Sequence, residues 1–412
     1  MNISRREGEL CVEGVAASKL AARFGTPLYV YSASQVVENF RRIDRAFADR
    51  ERLICYALKA NSNRHICRLL ARQGAGADVV SGGELRRALD AGFSPARIVF
   101  SGVGKNDEEI AAAVRLGVQA INVESPGELD RIAKAARRLR RAARFSVRVL
   151  PGVDAGTHAH VTTGLADNKF GVEPGEAWEM YLQARKDERL VPVGIQTHIG
   201  SQVLSLAPFR QALTVVLSLA DRLAGAGVRL AYADLGGGFG VRYRDEVPFD
   251  FGALARAIGP AFDARRHLKL VLEPGRALVA DAGILIARVL ERKKTSRRNF
   301  VIVDAAMNDL LRPALYDAYH EIEAVRNFPA SRERVDVVGP ICESADTLAR
   351  ARLLPRVAVG DLLAIRQAGA YGFSMSSQYN SRPRAAEILV QGGRVRVARR
   401  RESYKDLVGH ER

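Results

Sequence analysis

The sequence predicts an α/β protein with a closed (β/α)8 barrel of the TIM type and a second domain made mainly of strands. Eight short apolar segments alternate with helical stretches rich in Ala, Leu and Arg between residues 53 and 276. Near-continuous apolar strands with helical connections are typical of a parallel sheet buried on both faces. Eight such units match a closed barrel. An open, doubly wound sheet is the alternative.

The predicted elements follow in chain order. The barrel strands are residues 54–60, 77–81, 97–101, 120–125, 145–151, 194–200, 232–238 and 268–274. Beyond residue 280 the β-like segments are 283–291, 299–305, 335–340, 362–368 and 387–400. A Gly-Gly pair inside the last segment predicts a hairpin. We therefore expect an N-terminal segment over 1–35, a barrel over 36–278 and a sandwich-like or barrel-like β-domain over 279–412. The strand near residues 28–31 is expected to join the β-domain.

Composition limits the classes of function. The 412 residues are 47% hydrophobic and 26% charged, with a formal charge of +17. No apolar run approaches the roughly 20 residues that span a bilayer, and the N-terminus lacks a signal-peptide core. We expect a cytoplasmic protein with no membrane partner. The arginines are dispersed without interleaved aromatics or a nucleic-acid motif, which favours an anionic substrate or cofactor over nucleic acid. Four scattered cysteines give no disulfide framework and no metal site.

Lys59 closes the first predicted barrel strand, where its side chain is either a surface cation or a nucleophile. Burial lowers the pKa of a lysine, and a neutral amine can form a Schiff base. A barrel places reactive residues at the carboxyl ends of its strands. His198 ends the sixth strand and Glu273 ends the eighth. The polar residues are thus predicted to meet at one face of the barrel.

The ends of the seventh and eighth strands have the composition of a phosphate site. Gly236, Gly237 and Gly238 end the seventh strand, and Gly275 and Arg276 end the eighth. Glycines let backbone N–H groups approach an anion closely. The loops after these two strands often bind phosphate in barrels.

Seven motifs, kept in order, resemble one family. They are YALKAN (56–61), HIGSQ (198–202), LGGGFG (235–240), EPGR (273–276), RPALY (312–316), CES (342–344) and AYGFSMSSQYNSRPR (370–384). Together they resemble the pyridoxal-phosphate-dependent decarboxylases of the alanine racemase-like fold, and within that group the diaminopimelate decarboxylases. The resemblance runs from about residue 25 to residue 395. Three positions depart from the family pattern as we know it, namely Asn168, Ala345 and Gln378.

The resemblance implies a role for each matching residue. Lys59 would hold pyridoxal 5'-phosphate (PLP) as a Schiff base, Glu273 would bond the pyridine nitrogen, and His198 would stack on the ring. The phosphate cradle would comprise Ser201, Gly236, Gly237, Gly238, Gly275, Arg276 and Tyr371. Substrate would contact Arg276, Arg312, Tyr316, Glu343 and Tyr371.

The sequence allows two interpretations of Cys342. From its neighbours alone, a lone cysteine is more often a small buried hydrophobe. The resemblance implies instead the acid that protonates the substrate carbon after decarboxylation, acting at the barrel of a partner subunit. It therefore implies a homodimer with composite active sites.

The implied activity is the last step of lysine biosynthesis, decarboxylation of meso-2,6-diaminopimelate to L-lysine and CO2. This substrate carries both a carboxylate and an ammonium at its distal end. Arg312 with Arg276 would suit the carboxylate and Glu343 the ammonium. The alternatives are a decarboxylase of ornithine, lysine, arginine or carboxynorspermidine, and a non-catalytic PLP carrier.

Overall fold

The computed structural model describes residues 2–154, 169–327 and 331–411. Asn168 lies outside these residues. The chain forms two compact units. The β-rich unit comprises Met1–Asn39, Arg242–Glu246 and Leu278–Arg412, and the barrel unit comprises Phe40–Val241 and Val247–Ala277.

The N-terminal part of the β-rich unit begins with a small antiparallel sheet. Its elements are β1 (Ile3–Arg6), β2 (Glu9–Val12), β3 (Val15–Ala16), α1 (Ala17–Phe24) and β4 (Leu28–Ser32), followed by α2 (Ala33–Ala46). The sheet of β1, β2 and β3 was not predicted. These strands are only two to four residues long, too short for alternation to be recognised.

The barrel unit contains eight parallel strands that close into a barrel, which confirms the predicted fold and excludes the open sheet. The strands are β5 (Arg52–Ala57), β6 (Gly76–Val79), β7 (Ile98–Phe100), β8 (Ala120–Val123), β9 (Ala143–Arg148), β10 (Leu190–Gln196), β11 (Tyr232–Asp234) and β12 (Lys269–Leu272). The helices are α3 (Arg64–Arg72), α4 (Gly82–Ala91), α5 (Asp107–Leu116), α6 (Pro126–Leu139), α7 (Pro174–Ala184), α8 (Ala207–Gly225), α9 (Phe251–Asp263) and α10 (Arg276–Val279).

Local sequence explains where the barrel helices begin. Ser81 accepts a hydrogen bond from the backbone of Glu84 at the start of α4, and Ser125 does the same for Glu128 at the start of α6. Such N-caps satisfy backbone donors that the first turn leaves open. Each of these two helices starts three residues after the end of its strand, which keeps the loops at the strand ends short.

The remainder of the β-rich unit forms a nine-stranded sheet. Its later elements are β13 (Gly283–Lys294), β14 (Asn299–Val303), α11 (Arg312–Tyr316), β15 (Ile322–Ala324), β16 (Arg332–Val338), β17 (Thr347–Pro355), β18 (Leu362–Ile365), β19 (Ala386–Gln391), β20 (Arg394–Arg399) and α12 (Tyr404–Val408). β4 pairs with β13 and β19, so the N-terminal strand joins the C-terminal sheet as predicted. β19 and β20 form the predicted hairpin, in which Gly392 and Gly393 both have positive φ.

Alternating apolar side chains hold this sheet to its core. Leu28, Val30, Ile284, Ile286 and Ile388 are all buried in one cluster. β15 and β17 were not predicted, since neither segment shows sustained alternation of apolar and polar residues. Within the parts of the chain that the structure describes, no helix is both long enough and apolar enough to cross a bilayer.

Candidate active site

The carboxyl ends of the barrel strands carry most of the predicted barrel residues. Lys59 lies in a 3-10 turn (Leu58–Ala60) directly after β5, His198 lies two residues after β10, and Glu273 directly follows β12. The sequence had suggested that Lys59 closes its strand. In the structure Lys59 instead lies just after the strand. The barrel strand itself ends at Ala57, and the last residues of the apolar segment form the 3-10 turn.

The amine of Lys59 is paired with an acid that sequence reasoning did not identify. Its Nζ lies 2.8 Å from Oδ2 of Asp78, whose side chain is fully buried in β6, whereas the Lys59 side chain is 37% exposed. The surroundings of the Lys59 amine are therefore acidic and not purely apolar. Asp78 could have been noticed as the one charged residue inside an otherwise apolar strand.

Glu273 belongs to a buried cluster of carboxyl groups with Asp78 and Asp234. Burial, followed by the negative charges of Asp234 and Asp78, raises the pKa of Glu273 well above its usual range. Burial also raises the pKa of Asp234 to about 7, although hydrogen bonds with Glu273 and from the Gly236 N–H act to lower it. Both shifts favour the protonated form of these buried carboxyl groups.

Two buried amides orient the carboxyl group of Glu273. Gln196 donates from Nε2 to Oε2 at 3.2 Å, and Asn122 donates from Nδ2 to Oε1 at 3.4 Å. Asn122 also donates to Oγ of Ser101 at 2.9 Å. The two amides bond opposite oxygens of one carboxyl group and so fix the orientation of its plane. Asn122 lies inside the fourth predicted strand and Gln196 inside the sixth, but sequence reasoning gave neither residue a role.

The three consecutive glycines allow adjacent strand ends to approach one another. A Cβ at Gly236 would lie 2.4 Å from the Thr197 carbonyl oxygen, one at Gly237 would lie 2.2 Å from the Glu273 carbonyl oxygen, and one at Gly238 would lie 2.0 Å from that of Gly200. The backbone itself therefore requires glycine at these positions, whatever anion they contact. At Gly275 a Cβ would come within 3.0 to 3.1 Å of the Cβ atoms of Ala60 and Ala57.

Gly238→Ala is expected to destabilise the protein by at least about 2 kcal/mol, because both its φ of +91° and its lack of space oppose a side chain. Gly117→Ala is the matched control. Gly117 also has a positive φ, +64°, but a Cβ there would have no atom within 4 Å. The shift in urea midpoint should be clearly larger for Gly238→Ala. Equal shifts would mean that backbone strain alone, and not close packing, determines the loss.

His198 is held as a neutral ring. Its Nδ1 accepts a hydrogen bond from the Gly237 N–H at 3.1 Å, so the proton of the neutral imidazole is on Nε2. Burial and the positive charges of Arg148 and Lys59 lower the pKa of His198 well below its usual range. Nearby, Nη2 of Arg276 donates to Oγ of Ser201 at 2.8 Å, which brings together two residues of the predicted phosphate cradle.

The other predicted residues lie in the β-rich unit. Arg312 and Tyr316 begin and end α11, and Arg312 is buried. Cys342 is exposed, and its backbone N–H donates to Oδ1 of Asn380 at 2.9 Å. Glu343 is also exposed and accepts a hydrogen bond from the Tyr379 hydroxyl at 2.7 Å. Tyr371 has an unusual positive φ of +56°. Cys342 is thus not the buried hydrophobe that its neighbours alone suggested.

Comparison with known proteins adds a second line of support. The family described as "Pyridoxal-dependent decarboxylase, pyridoxal binding domain" matches residues 33–280. A diaminopimelate decarboxylase of Pseudomonas aeruginosa is 51% identical over 408 residues, covering 99% of this chain and 98% of the relative. The chain belongs to the diaminopimelate decarboxylase family. It is accordingly a PLP-dependent carboxy-lyase, as the motifs had indicated.

Solved structures of diaminopimelate decarboxylases share the fold over nearly the whole chain. The crystal structure from Helicobacter pylori, complexed with L-lysine, has a TM-score of 0.93 and 46% identity, and covers 96% of this chain and 98% of that one. The structure from M. jannaschii, in co-complex with L-lysine, has a TM-score of 0.95 and 38% identity, and covers 100% of this chain and 98% of that one. Both units of the chain therefore have counterparts in these decarboxylases.

The buried charges of the barrel suit the cofactor of these decarboxylases. Asp78, Asp234 and Glu273 place three acidic side chains together beside the amine of Lys59. A protonated pyridine nitrogen would supply a second positive charge and would favour ionised Glu273, against the burial that raises its pKa. The chemistry of the donor set thus fits PLP, with Lys59 for the aldehyde and Glu273 for the ring nitrogen.

Proposed function

We propose that this protein removes the carboxylate from one end of meso-2,6-diaminopimelate to give L-lysine and CO2, and that Lys59 and Glu273 are central to this reaction. The observation that carries the proposal is the Lys59 amine at the carboxyl end of the barrel, beside the buried acids of Asp78, Asp234 and Glu273. The L-lysine complexes of two structurally similar decarboxylases support the choice of product.

In this proposal each barrel residue has one task. PLP, when bound, accepts the electron pair left on the substrate carbon as CO2 departs. Lys59 would hold the cofactor through its amine. Glu273 would keep a proton on the ring nitrogen, and Gln196 and Asn122 fix the plane of its carboxyl group. His198, neutral and with its proton on Nε2, would pack on the ring without adding positive charge.

The distal end of the substrate determines the choice among amino acids. Arg312 would bind the distal carboxylate, and Glu343 would bind the distal ammonium. A decarboxylase of ornithine, lysine or arginine meets only a cation there and has no use for a buried arginine. Arg276 donates a hydrogen bond to Ser201, another residue of the predicted phosphate cradle. This contact favours a role for Arg276 in binding phosphate over its second predicted role in binding substrate.

The test is release of CO2 from a panel of amino acids by the PLP-loaded enzyme. Meso-diaminopimelate should be turned over at least about 10³-fold more efficiently, as kcat/KM, than L-lysine, L-ornithine or L-arginine, because each of these lacks the distal carboxylate that Arg312 would bind. Carboxynorspermidine is included in the panel. Preference for it or for one of the other amino acids would overturn the proposed substrate, and no CO2 from any compound of the panel would overturn decarboxylation.

Exposure of Cys342 supports its proposed role at the barrel of a partner subunit. A thiol on the surface of one chain can reach a neighbouring subunit, which a buried thiol could not. Its proton would be returned to the substrate carbon after CO2 leaves. We therefore also propose that the enzyme is a homodimer with composite sites. The cytoplasmic location expected from the sequence stays a prediction.

Cys342→Ala is expected to lower kcat about 10²-fold to 10³-fold, within the usual range for loss of a general acid. Deuterium should no longer enter the substrate carbon with a single stereochemistry when the reaction runs in heavy water. Cys11→Ala, at a buried cysteine of the same unit, is the control and should leave the stereochemistry intact. Unchanged rate and stereochemistry in Cys342→Ala would remove the thiol from this role.

Composite sites can be tested by mixing two inactive variants. When Lys59→Ala and Cys342→Ala subunits exchange, a mixed dimer has one site with both residues and one with neither. Random exchange should restore about a quarter of the parental activity. Sites made from a single chain would show no restoration.

A further inference from the structure

Arg312 is held by a buried histidine that sequence reasoning did not identify. Nη1 of Arg312 lies 2.7 Å from Nε2 of His320, and the His320 side chain is fully buried. On the other side of the ring, Nδ1 lies 2.8 Å from the carbonyl oxygen of Arg366. His320 thus links the guanidinium group to the backbone directly after β18.

These two contacts fix the tautomer of His320. A guanidinium group can only donate, so Nε2 must accept, and the Arg366 carbonyl can only accept, so Nδ1 must carry the proton. The imidazole is therefore neutral, and its ring plane is set by bonds at both nitrogens. The imidazole therefore presents a single acceptor atom, Nε2, to Arg312, and the direction of that acceptor is fixed.

Tyr243 restrains the same guanidinium from its face. Cζ of Arg312 lies 4.6 Å from the centroid of the Tyr243 ring, and that ring meets His320 edge-to-face with centroids 5.3 Å apart. All three side chains are buried. The cation-π contact restrains the plane of the guanidinium, while the histidine restrains its rotation within that plane.

Both restraining side chains are uncharged. They orient the guanidinium without neutralising its charge, and a guanidinium binds a carboxylate through charge-assisted hydrogen bonds. We infer that His320 is a positioning residue that aims Arg312 at the distal carboxylate of the substrate and so enforces selection of substrates that carry this group. The inference rests on the proposed function, because it requires Arg312 to bind the distal carboxylate.

Two ligands separate this role from a merely structural one. L-lysine, the product, retains the distal carboxylate, whereas cadaverine is the same diamine without it. Competitive inhibition constants for both are measured with the PLP-loaded enzyme, together with kcat and KM for meso-diaminopimelate. His320→Leu should raise the inhibition constant of L-lysine about tenfold, which is the loss expected for a misplaced charge-assisted hydrogen bond. It should raise KM for meso-diaminopimelate by a similar factor. Cadaverine inhibition and kcat should each change less than about twofold.

His320→Gln is the conservative variant. Its amide can accept from Arg312 and donate to the Arg366 carbonyl, so it should restore L-lysine inhibition to within about threefold of the parent. Tyr319→Leu is the matched control, since it changes the adjacent residue, whose ring lies over Arg352. It should leave the ratio of the two inhibition constants unchanged. Adding His320→Leu to Arg312→Leu should cause no further loss of L-lysine binding.

Three outcomes overturn the inference. Equal weakening of L-lysine and cadaverine would show that His320 only supports the fold. Unchanged L-lysine inhibition would show that Arg312 needs no positioning. A further loss in the double variant would show that His320 does not act through Arg312. A parent enzyme that releases no CO2 from meso-diaminopimelate would instead overturn the proposed function, which keeps the two failures distinguishable.

Discussion

Replacing Lys59 by Arg is expected to lower kcat by more than about 10⁴-fold, because arginine keeps the positive charge beside Asp78 but cannot form the covalent bond to PLP. The variant should also lose the visible absorption of lysine-bound cofactor. Its thermal midpoint should stay close to that of the parent, since the ion pair can be retained. Lys59→Ala should be equally inactive but less stable, because the buried carboxylate of Asp78 then loses its amine.

Lys105 is the rival amine in the barrel. It follows β7, its side chain is 1% exposed, and burial lowers its pKa. However, its Nζ donates to the carbonyl oxygens of Gly102 and Asn122 and to Glu128, at 2.7, 2.8 and 3.0 Å. Three acceptors hold it as a structural ammonium. Borohydride reduction of the PLP-loaded enzyme followed by peptide mapping should therefore label Lys59. Label on Lys105, or turnover by Lys59→Arg, would contradict the assignment.

The sequence predicted the barrel well because its signals are local. Apolar runs of four to seven residues mark the strands, and parallel strands must place their carboxyl ends together. That rule alone brought Lys59, His198 and Glu273 to one end. The strand ends themselves were predicted one to four residues too late, because 3-10 turns and glycine-rich turns continue the apolar composition beyond the last paired residue.

The residues that contact the predicted site residues could not be predicted from local sequence patterns. Asp78 and Asp234 are acidic residues inside apolar strands, and each is recognisable only as a break in the pattern. Gln196 lies 77 positions from Glu273, and no periodicity relates the two. The contact between Arg312 and His320 joins the first residue of α11 to a residue beyond its end, so it depends on the path of the chain after α11. Such pairs are set by tertiary structure.

Glu273→Gln is expected to lower kcat about 10²-fold to 10³-fold with a smaller effect on KM, because a neutral amide cannot stabilise a proton on the ring nitrogen, and electrostatic stabilisation of this kind is worth several kcal/mol. Gln196→Met is the matched control. It removes one hydrogen bond to Glu273 but leaves the carboxyl group, so its loss should be closer to tenfold. Comparable rates in Glu273→Gln and the parent would show that the ring nitrogen needs no acid.

The same substitution should change how stability depends on pH. The pKa of Glu273 is raised well above its unfolded value, so the folded protein binds more protons, and its stability falls as the pH rises from about 4 upward. Asp234, whose pKa is raised to about 7, acts in the same direction. Glu273→Gln removes one of these two groups. The cofactor-free variant should therefore lose less stability than the cofactor-free parent between about pH 4.5 and pH 7, as measured by urea midpoints. Parallel curves for the two proteins would mean that Glu273 is already ionised across this range, and its buried charge would then have to be balanced by Lys59.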